Sequence, residues 1–375
     1  MLLVQSKAGP APLAETCARL GYDVETTAET DVGALLKTAQ AIRPHALYAA
    51  DGAAWPPALA AAHALGVGRW LHDPDGERLR GAWQELMAAG IAVTETCFAP
   101  NLPAAEAGLD YIEPPCWLRN FAGSAAPRCL RLDHAEDLPL LFAKAGEKSP
   151  GKCVLLQKAP TGDLYRVVGF KLGRDYHPVE VIRERSAEGP YRVPAALTVG
   201  DQIAGAPYEA MLRLARRAAA ALPPFHGPLE IELVLDDAAP ILTDLRPQPT
   251  FSLLVEAALR LALGVNLRED TLRVAMGDAP QLAPVENLAA AVRMLDSHSG
   301  IVESVEGIEA ARRVKNVRLV AVQAQPGDVV GHAIDEAARE QVGYVAAAGP
   351  SIEQAAQAAK AACGHIQIQV RPAEA

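Results

Sequence analysis

The chain has 375 residues and a formal net charge of −10, with 50% hydrophobic and 21% charged residues. That length allows two or three domains with buried cores, and acids and bases scattered along an acidic chain argue against a nucleic-acid binder, which presents a basic face or stripe. No apolar run approaches the roughly 20 residues that cross a bilayer, the N-terminus has no basic leader, and six separated cysteines without a CxxC pair suggest neither zinc nor a disulfide framework. The cytoplasm is the expected compartment.

Residues 1–75 alternate short apolar runs (MLLVQ, HALYAAD) with helical patterns around Leu13–Leu20, Val32–Ile42 and Pro57–Leu65. This alternation predicts βαβ units and a small parallel, Rossmann-like layer. The Gly9 turn is not a GxGxxG fingerprint, so no dinucleotide site is expected there. GERLRGAWQELMAAG, 76–90, reads as an amphipathic helix closed by a glycine cap.

From about 114 to 180 the pattern changes to strands: CWLRNF, RCLRL, CVLLQKA, LYRVVGFKL and PVEVIRE, interrupted by the helix DHAEDLPLLFAKAG. A long helix follows over 206–222. LEIELVL and ILTDLRP then read as a hairpin folded at a DDAAP turn, and SLLVEAALRLALG is a helix capped at Gly264. Beyond about 283, five further apolar runs and the helix SIEQAAQAAKAAC predict a separate β-rich module. Three units result: 1–75, 76–280 and 281–375.

The hairpin carries the chemistry. Strand alternation puts Glu230 and Glu232 on one face and Asp244 and Arg246 together on the return strand. Folding at the turn brings Glu232 near Asp244. Facing carboxylates among apolar neighbours need a cation, and Mg²⁺, which takes oxygen ligands and bridges carboxylates to phosphates, is one candidate. On spacing alone, an ordinary solvated face pairing with Arg246 or Lys171 remains open. Arg166 and Lys171, on an earlier strand, face a phosphate or a substrate carboxylate, or simply solvent.

The stretch GPLEIELVLDDAAPILTDLRPQPTF with LVEAALRLALGVNL resembles the metal-binding end of the ATP-grasp fold, which usually reads as an acid on a strand, a turn, then Glu-x-Asn-Pro-Arg and a helix. The resemblance implies Glu232 and Asp244 as metal ligands. PPCWLRNFAGSAAPRCLRL resembles the strand and glycine-rich phosphate loop, with Arg119 in the lysine position and Gly123–Ser124 in the loop. VLLQKAPTGDLYRV resembles the hinge strand, which implies Gln157 at the adenine amine, followed by Lys158, with Lys171 further along the nucleotide site. The tail, from GIVESVEG to HIQI, resembles that of carboxylate–amine ligases of the L-amino-acid ligase and carnosine synthase group. Arg246 stands where the family has a metal-binding Asn, and Gln248 where it has Arg.

The expected fold is therefore α/β and α+β: an ATP-grasp fold with an N-terminal Rossmann-like pre-ATP-grasp domain (1–75), nucleotide-binding lobes (76–280) and a C-terminal α+β module (281–375). The implied function is an ATP-dependent ligase joining a small-molecule carboxylate to an amine through an acyl phosphate, with ATP and Mg²⁺ as cofactors and a homodimer as the oligomer. Catalysis would be positioning and charge neutralisation, with Arg119 clamping phosphates, Arg246 neutralising the transferred phosphoryl or binding the substrate carboxylate, and Arg293 reaching the acyl phosphate. A carboxylase-type relative is an alternative enzyme. A degenerate member that binds nucleotide or a small acid as a sensor or partner subunit is the alternative of another class.

Overall fold

A computed structural model describes residues 1–5, 12–49, 54–67, 76–120, 129–147, 149, 153–187, 189–200, 205–236, 239–248, 251–331 and 342–372. In chain order the first layer comprises β1 (Leu2–Val4), α1 (Pro12–Arg19), β2 (Glu25–Thr27), α2 (Val32–Ile42), β3 (Leu47–Ala49) and α3 (Trp55–Leu65). Its strands pair in parallel in the order β2-β1-β3. The strands β1 and β3 are buried and apolar throughout, as expected when helices cover a parallel sheet.

The second layer follows α4 (Gly76–Ala88). It comprises β4 (Thr96–Ala99), α5 (Leu102–Gly108), β5 (Cys116–Asn120), β6 (Cys129–Leu132), α6 (Leu138–Gly146) and β7 (Val154–Lys158). These strands form an antiparallel sheet in the order β4-β7-β5-β6. Leu118, Leu130, Val154 and Leu156 face α5 and α6 in one core. Trp117, Arg119, Leu155 and Gln157, at the alternate positions, are left on the other face. The Gly123–Ser124 loop lies outside the described residues, as does the Gly9 turn.

The third layer begins with β8 (Asp163–Gly173), β9 (Asp175–Ser186), β10 (Pro194–Val199), α7 (Ala206–Ala221), β11 (Phe225–Asp236), β12 (Ala239–Pro247), α8 (Leu253–Leu263) and α9 (Leu267–Met276). After it come β13 (Ala289–Met294), β14 (Gly300–Glu306), α10 (Ile308–Arg312), β15 (Val317–Val322), β16 (Val329–Val330), β17 (Gly343–Gly349), α11 (Ile352–His365) and β18 (Gln367–Arg371). The expected hairpin is present as β11 and β12, and α8 ends at Gly264 with φ 71°, the left-handed cap that glycine adopts readily.

The C-terminal segment is not a separate sheet. Among the described residues, β13, β17 and β15 continue the third layer's sheet, giving eight strands in the order β12-β11-β8-β9-β10-β13-β17-β15, and only β16-β14-β18 form a sheet of their own. The joint is β10 against β13, with Leu197 opposite Val292. β10, whose sequence PAALTV carries no obvious alternation, was not among the expected strands.

Strand parity sorts the two faces of this sheet. Tyr165, Val167, Leu229, Ile231 and Leu233 pack on α7 through Met211, Leu214, Ala215 and Ala218. Ala291 and Ala347 pack on α11 on the same side. Val168, Phe170, Ile182, Leu197, Val292 and Ala346 pack on α8, which presents Leu254, Val255, Ala258, Leu259 and Ala262 at helical spacing. Each buried Leu of that stripe stabilises the layer by roughly 1.5–3 kcal/mol. Leu272 and Ala275 of α9 enter the N-terminal core, and Arg19 pairs with Glu269 at 2.5 Å, so α9 ties the first layer to the third.

Candidate functional site

The α8 face of the large sheet is apolar except at its β8–β9–β11–β12 end. There Glu232 lies opposite Asp244 on one side and Arg166 on the other. A β-bulge after Glu232 places Thr243 as an extra residue on β12, and such a residue has no partner in the ladder. Its hydroxyl and its carbonyl are both used elsewhere. Its hydroxyl donates to Glu232 Oε1 at 2.7 Å, and its carbonyl accepts from Gln157 Nε2 at 3.0 Å and Arg119 Nη1 at 3.2 Å.

Those last two contacts come from the second layer, so the cleft-facing side of β5 and β7 meets the hairpin directly. Arg119 also donates to Asp244 Oδ2 and to Gln157 Oε1 at 3.3 Å. Arg246 bridges the two acids: Nη2 lies 2.9 Å from Glu232 Oε2 and Nε 2.7 Å from Asp244 Oδ2. Arg192, on the segment between β9 and β10, lies 2.7 Å from Glu232 Oε1. Behind them, Arg166 pairs with Glu184 at 2.5 Å and with Glu230 at 3.2 Å.

Among the described residues, four guanidiniums and four carboxylates thus gather at this end of the sheet: Arg119, Arg192 and Arg246 around Glu232 and Asp244, and Arg166 with Glu184 and Glu230 behind them. Glu232 is 1% exposed and Asp244 18%. Burial would raise the Glu232 carboxyl pKa, but Arg192, Arg246, Arg119 and Arg166 outweigh it and hold the group well below the ordinary carboxylate range. Arg246 is in turn raised: burial opposes its charge, and the Glu232 and Asp244 carboxylates more than restore it. Each of the four guanidiniums lies within ion-pair distance of a carboxylate, as charges taken out of water require.

Of the residues expected at the site from sequence, the structure brings Arg119, Gln157, Glu232, Asp244 and Arg246 together. Three others lie elsewhere. Lys171 is five residues from Arg166 on a regular strand and therefore on the α7 face. It is fully buried there, with Nζ donating to the Ala219 carbonyl at 2.7 Å. Burial, with Arg174 adding to it, lowers its pKa to about 8. Arg293 of β13 lies on the α11 face beside Cys363, whose thiol burial pushes up to about 11 while Arg293 draws it back. Lys158 is exposed and pairs with Glu95 at 3.4 Å.

Glu232 and Asp244 were expected to hold Mg²⁺, and the arrangement around them does not suit the ion. Glu232 Oε1 is taken by Arg192 and Thr243, and Oε2 by Arg246. Asp244 Oδ2 is taken by Arg119 and Arg246, and Oδ1 by the Leu245 N–H. Among the described residues, no group of three or more His, Cys, Asp or Glu side chains is placed to hold a metal. The position between the two carboxylates belongs to a guanidinium, which would repel a dication.

Arg192 is the residue that sequence reasoning missed. It sits in GPYRVP, where the bracketing prolines signal only a loop. The structure pairs this segment with the edge of β6: Tyr191 bridges Leu130, and the Arg192 N–H donates to the Cys129 carbonyl at 2.9 Å. No local spacing announces such a contact.

Residues 293–371 match the family model described as L-amino acid ligase C-terminal domain 2. No curated protein matches the sequence. Among solved structures, the L-amino acid ligase from Bacillus licheniformis superposes with TM-score 0.80 at 16% identity, covering 99% of this chain and 98% of that one. The N5-carboxyaminoimidazole synthase from Aspergillus clavatus, solved with ADP and 5-aminoimidazole ribonucleotide, gives 0.73 at 12% identity, covering 97% of each chain. The biotin carboxylase domain of the Hydrogenobacter thermophilus 2-oxoglutarate carboxylase, solved with MgADP, ADP and bicarbonate, gives 0.73 at 11% identity, covering 98% of this chain and 90% of that one. The chain has the ATP-grasp fold.

Proposed function

We propose that this protein is an ATP-grasp ligase that binds ATP between the β5–β7 face and the β11–β12 hairpin and uses it to join a carboxylate to an amine. The observation that carries the reading is Arg119, a cation from one lobe held against the hairpin of the other. An L-amino acid ligase shares the fold along nearly the whole chain, and the tail matches that family's model.

In the reaction proposed, a substrate carboxylate oxygen attacks the γ-phosphorus, forming an acyl phosphate as the β–γ bridging P–O bond breaks and ADP leaves. The amine then attacks the acyl carbon, releasing phosphate and a proton and leaving an amide. Phosphoryl transfer spreads charge over the phosphoryl oxygens and needs little covalent help from the protein. Arg119 and Arg246 would supply forked, permanently charged donors to those oxygens. Gln157, held by the Thr243 carbonyl and 3.4 Å from the Thr96 hydroxyl, would line the adenine side.

One observation favours a second reading. Every carboxylate oxygen of Glu232 and Asp244 is already bonded within the protein, as expected of a nucleotide-binding member that has given up turnover. ADP release measured over panels of amino acids and amines separates the two. Release that requires both a carboxylate and an amine supports the ligase. ATP binding with no ADP formed under any pairing overturns it in favour of the binder.

A further inference from the structure

The Arg246 guanidinium lies between Glu232 and Asp244, the acids expected to hold a divalent cation, at 2.9 and 2.7 Å from their oxygens. A guanidinium there performs the ion's electrostatic task, because it neutralises two facing acids, and its side chain keeps 20% of its surface exposed. Asp244 is the other unusual member. One oxygen, Oδ2, receives both Arg119 and Arg246, the two cations best placed to meet phosphate. Its side chain is also the most exposed carboxylate of the network, at 18% against 1% for Glu232 and 2% for Glu184 and Glu230. It is therefore the acid that returns to water at least cost.

We infer that this cleft binds nucleoside triphosphate without a divalent cation: Arg246 replaces the metal, and Asp244 is an internal stand-in for phosphate that occupies Arg119 and Arg246 until the ligand displaces it. The inference rests on the reading that ATP binds in this cleft. With Asp244 turned away, four guanidiniums face three carboxylates, and the surplus cation meets the incoming phosphate. Arg119 and Arg246 change partners and remain paired throughout. A metal-ligand role for Asp244 and a stand-in role predict opposite effects of its removal. A lost ligand weakens nucleotide binding, and a lost competitor strengthens it.

The test is calorimetric titration of the full chain with ATP, in excess EDTA and in excess Mg²⁺. The wild-type protein is expected to bind equally well in both. Asp244→Asn is expected to tighten ATP in EDTA by about tenfold, the equivalent of one charge-assisted hydrogen bond no longer contested. Arg246→Asn, which releases both carboxylates, is expected to make binding dependent on Mg²⁺. Wild-type binding only with Mg²⁺, or weakening by Asp244→Asn, overturns the inference and leaves the ligase reading standing. No ATP binding in either buffer overturns the ligase reading itself. Should Asp244→Asn not fold, judged by circular dichroism, the wild-type comparison in the two buffers decides alone.

Discussion

Arg119 of β5 and Asp244 of β12 are 125 residues apart in sequence and joined by an ion pair across the cleft between two lobes. Beside it, the Thr243 carbonyl, displaced from the ladder by the bulge, receives Arg119 and Gln157. The two lobes are thus coupled by a short polar seam at the place where a ligand would enter.

Replacing Arg119 with Met is expected to loosen that seam. The cost is about 1.5–3 kcal/mol, the range for a hydrogen bond to a charged group, read from urea denaturation. Amide exchange in β5 and β7 should quicken more than in β8 and β9. Equal acceleration throughout would argue against a local interlobe role.

Arg192→Ala leaves Glu232 with Arg246 and Thr243 but without one buried partner. A loss of about 3–5 kcal/mol is expected, as for breaking a buried pair from one side. In the background of Glu232→Gln the same change should cost much less. A double-mutant cycle showing no coupling would refute the pairing.

Glu232 gives the acid limb its shape. Its folded pKa lies well below the ordinary carboxylate value of 4.5, so the unfolded chain takes up the proton first as pH falls. The stabilisation is fully present above about pH 5 and declines steadily below it. Melting temperature against pH should therefore fall less steeply below 4.5 in Glu232→Gln than in the wild type.

Lys171 acts at the opposite end. Its folded pKa of about 8 lies below the ordinary lysine value of 10.5, so between those values the unfolded chain holds more protons and stability rises with pH. Lys171→Met should abolish that rise. It should also leave ATP affinity unchanged, because the residue faces α7 rather than the cleft.

Arg293→Ala should likewise leave the ATP dissociation constant within about twofold, the spread expected for a site with no shared partner. A larger change in titration would place Arg293 at the nucleotide despite its position beside α11.

Much of this was legible in the sequence, because it depends on local pattern. The alternation in LEIELVL and ILTDLRP predicts the hairpin, and the acids on one face follow from it. Parity was also available for Lys171 but was overlooked in expecting it at the nucleotide: five residues separate it from Arg166, so the two cannot share a face of one regular strand. What could not be read is the choice of partners at long range. Nothing in GPYRVP shows that Arg192 reaches Glu232. Nothing in PAALTV shows that β10 joins β9 to β13. The identity of Arg246 was visible, but its bridging of both acids was not, because that depends on the bulge that turns Thr243 out of the ladder.

The junction of β10 with β13 has a consequence for how the molecule can be divided. A chain ending after α9 would leave the N–H and C=O groups along one side of Pro194–Val199 unpaired, a template for edge-to-edge association. It would also uncover the part of α8 that packs on Val292 and Ala346. Such a truncation should yield aggregates instead of a smaller folded unit. The tail recognised by the family model is a wall of the same building, and exchanging it between relatives would mean rebuilding a shared sheet.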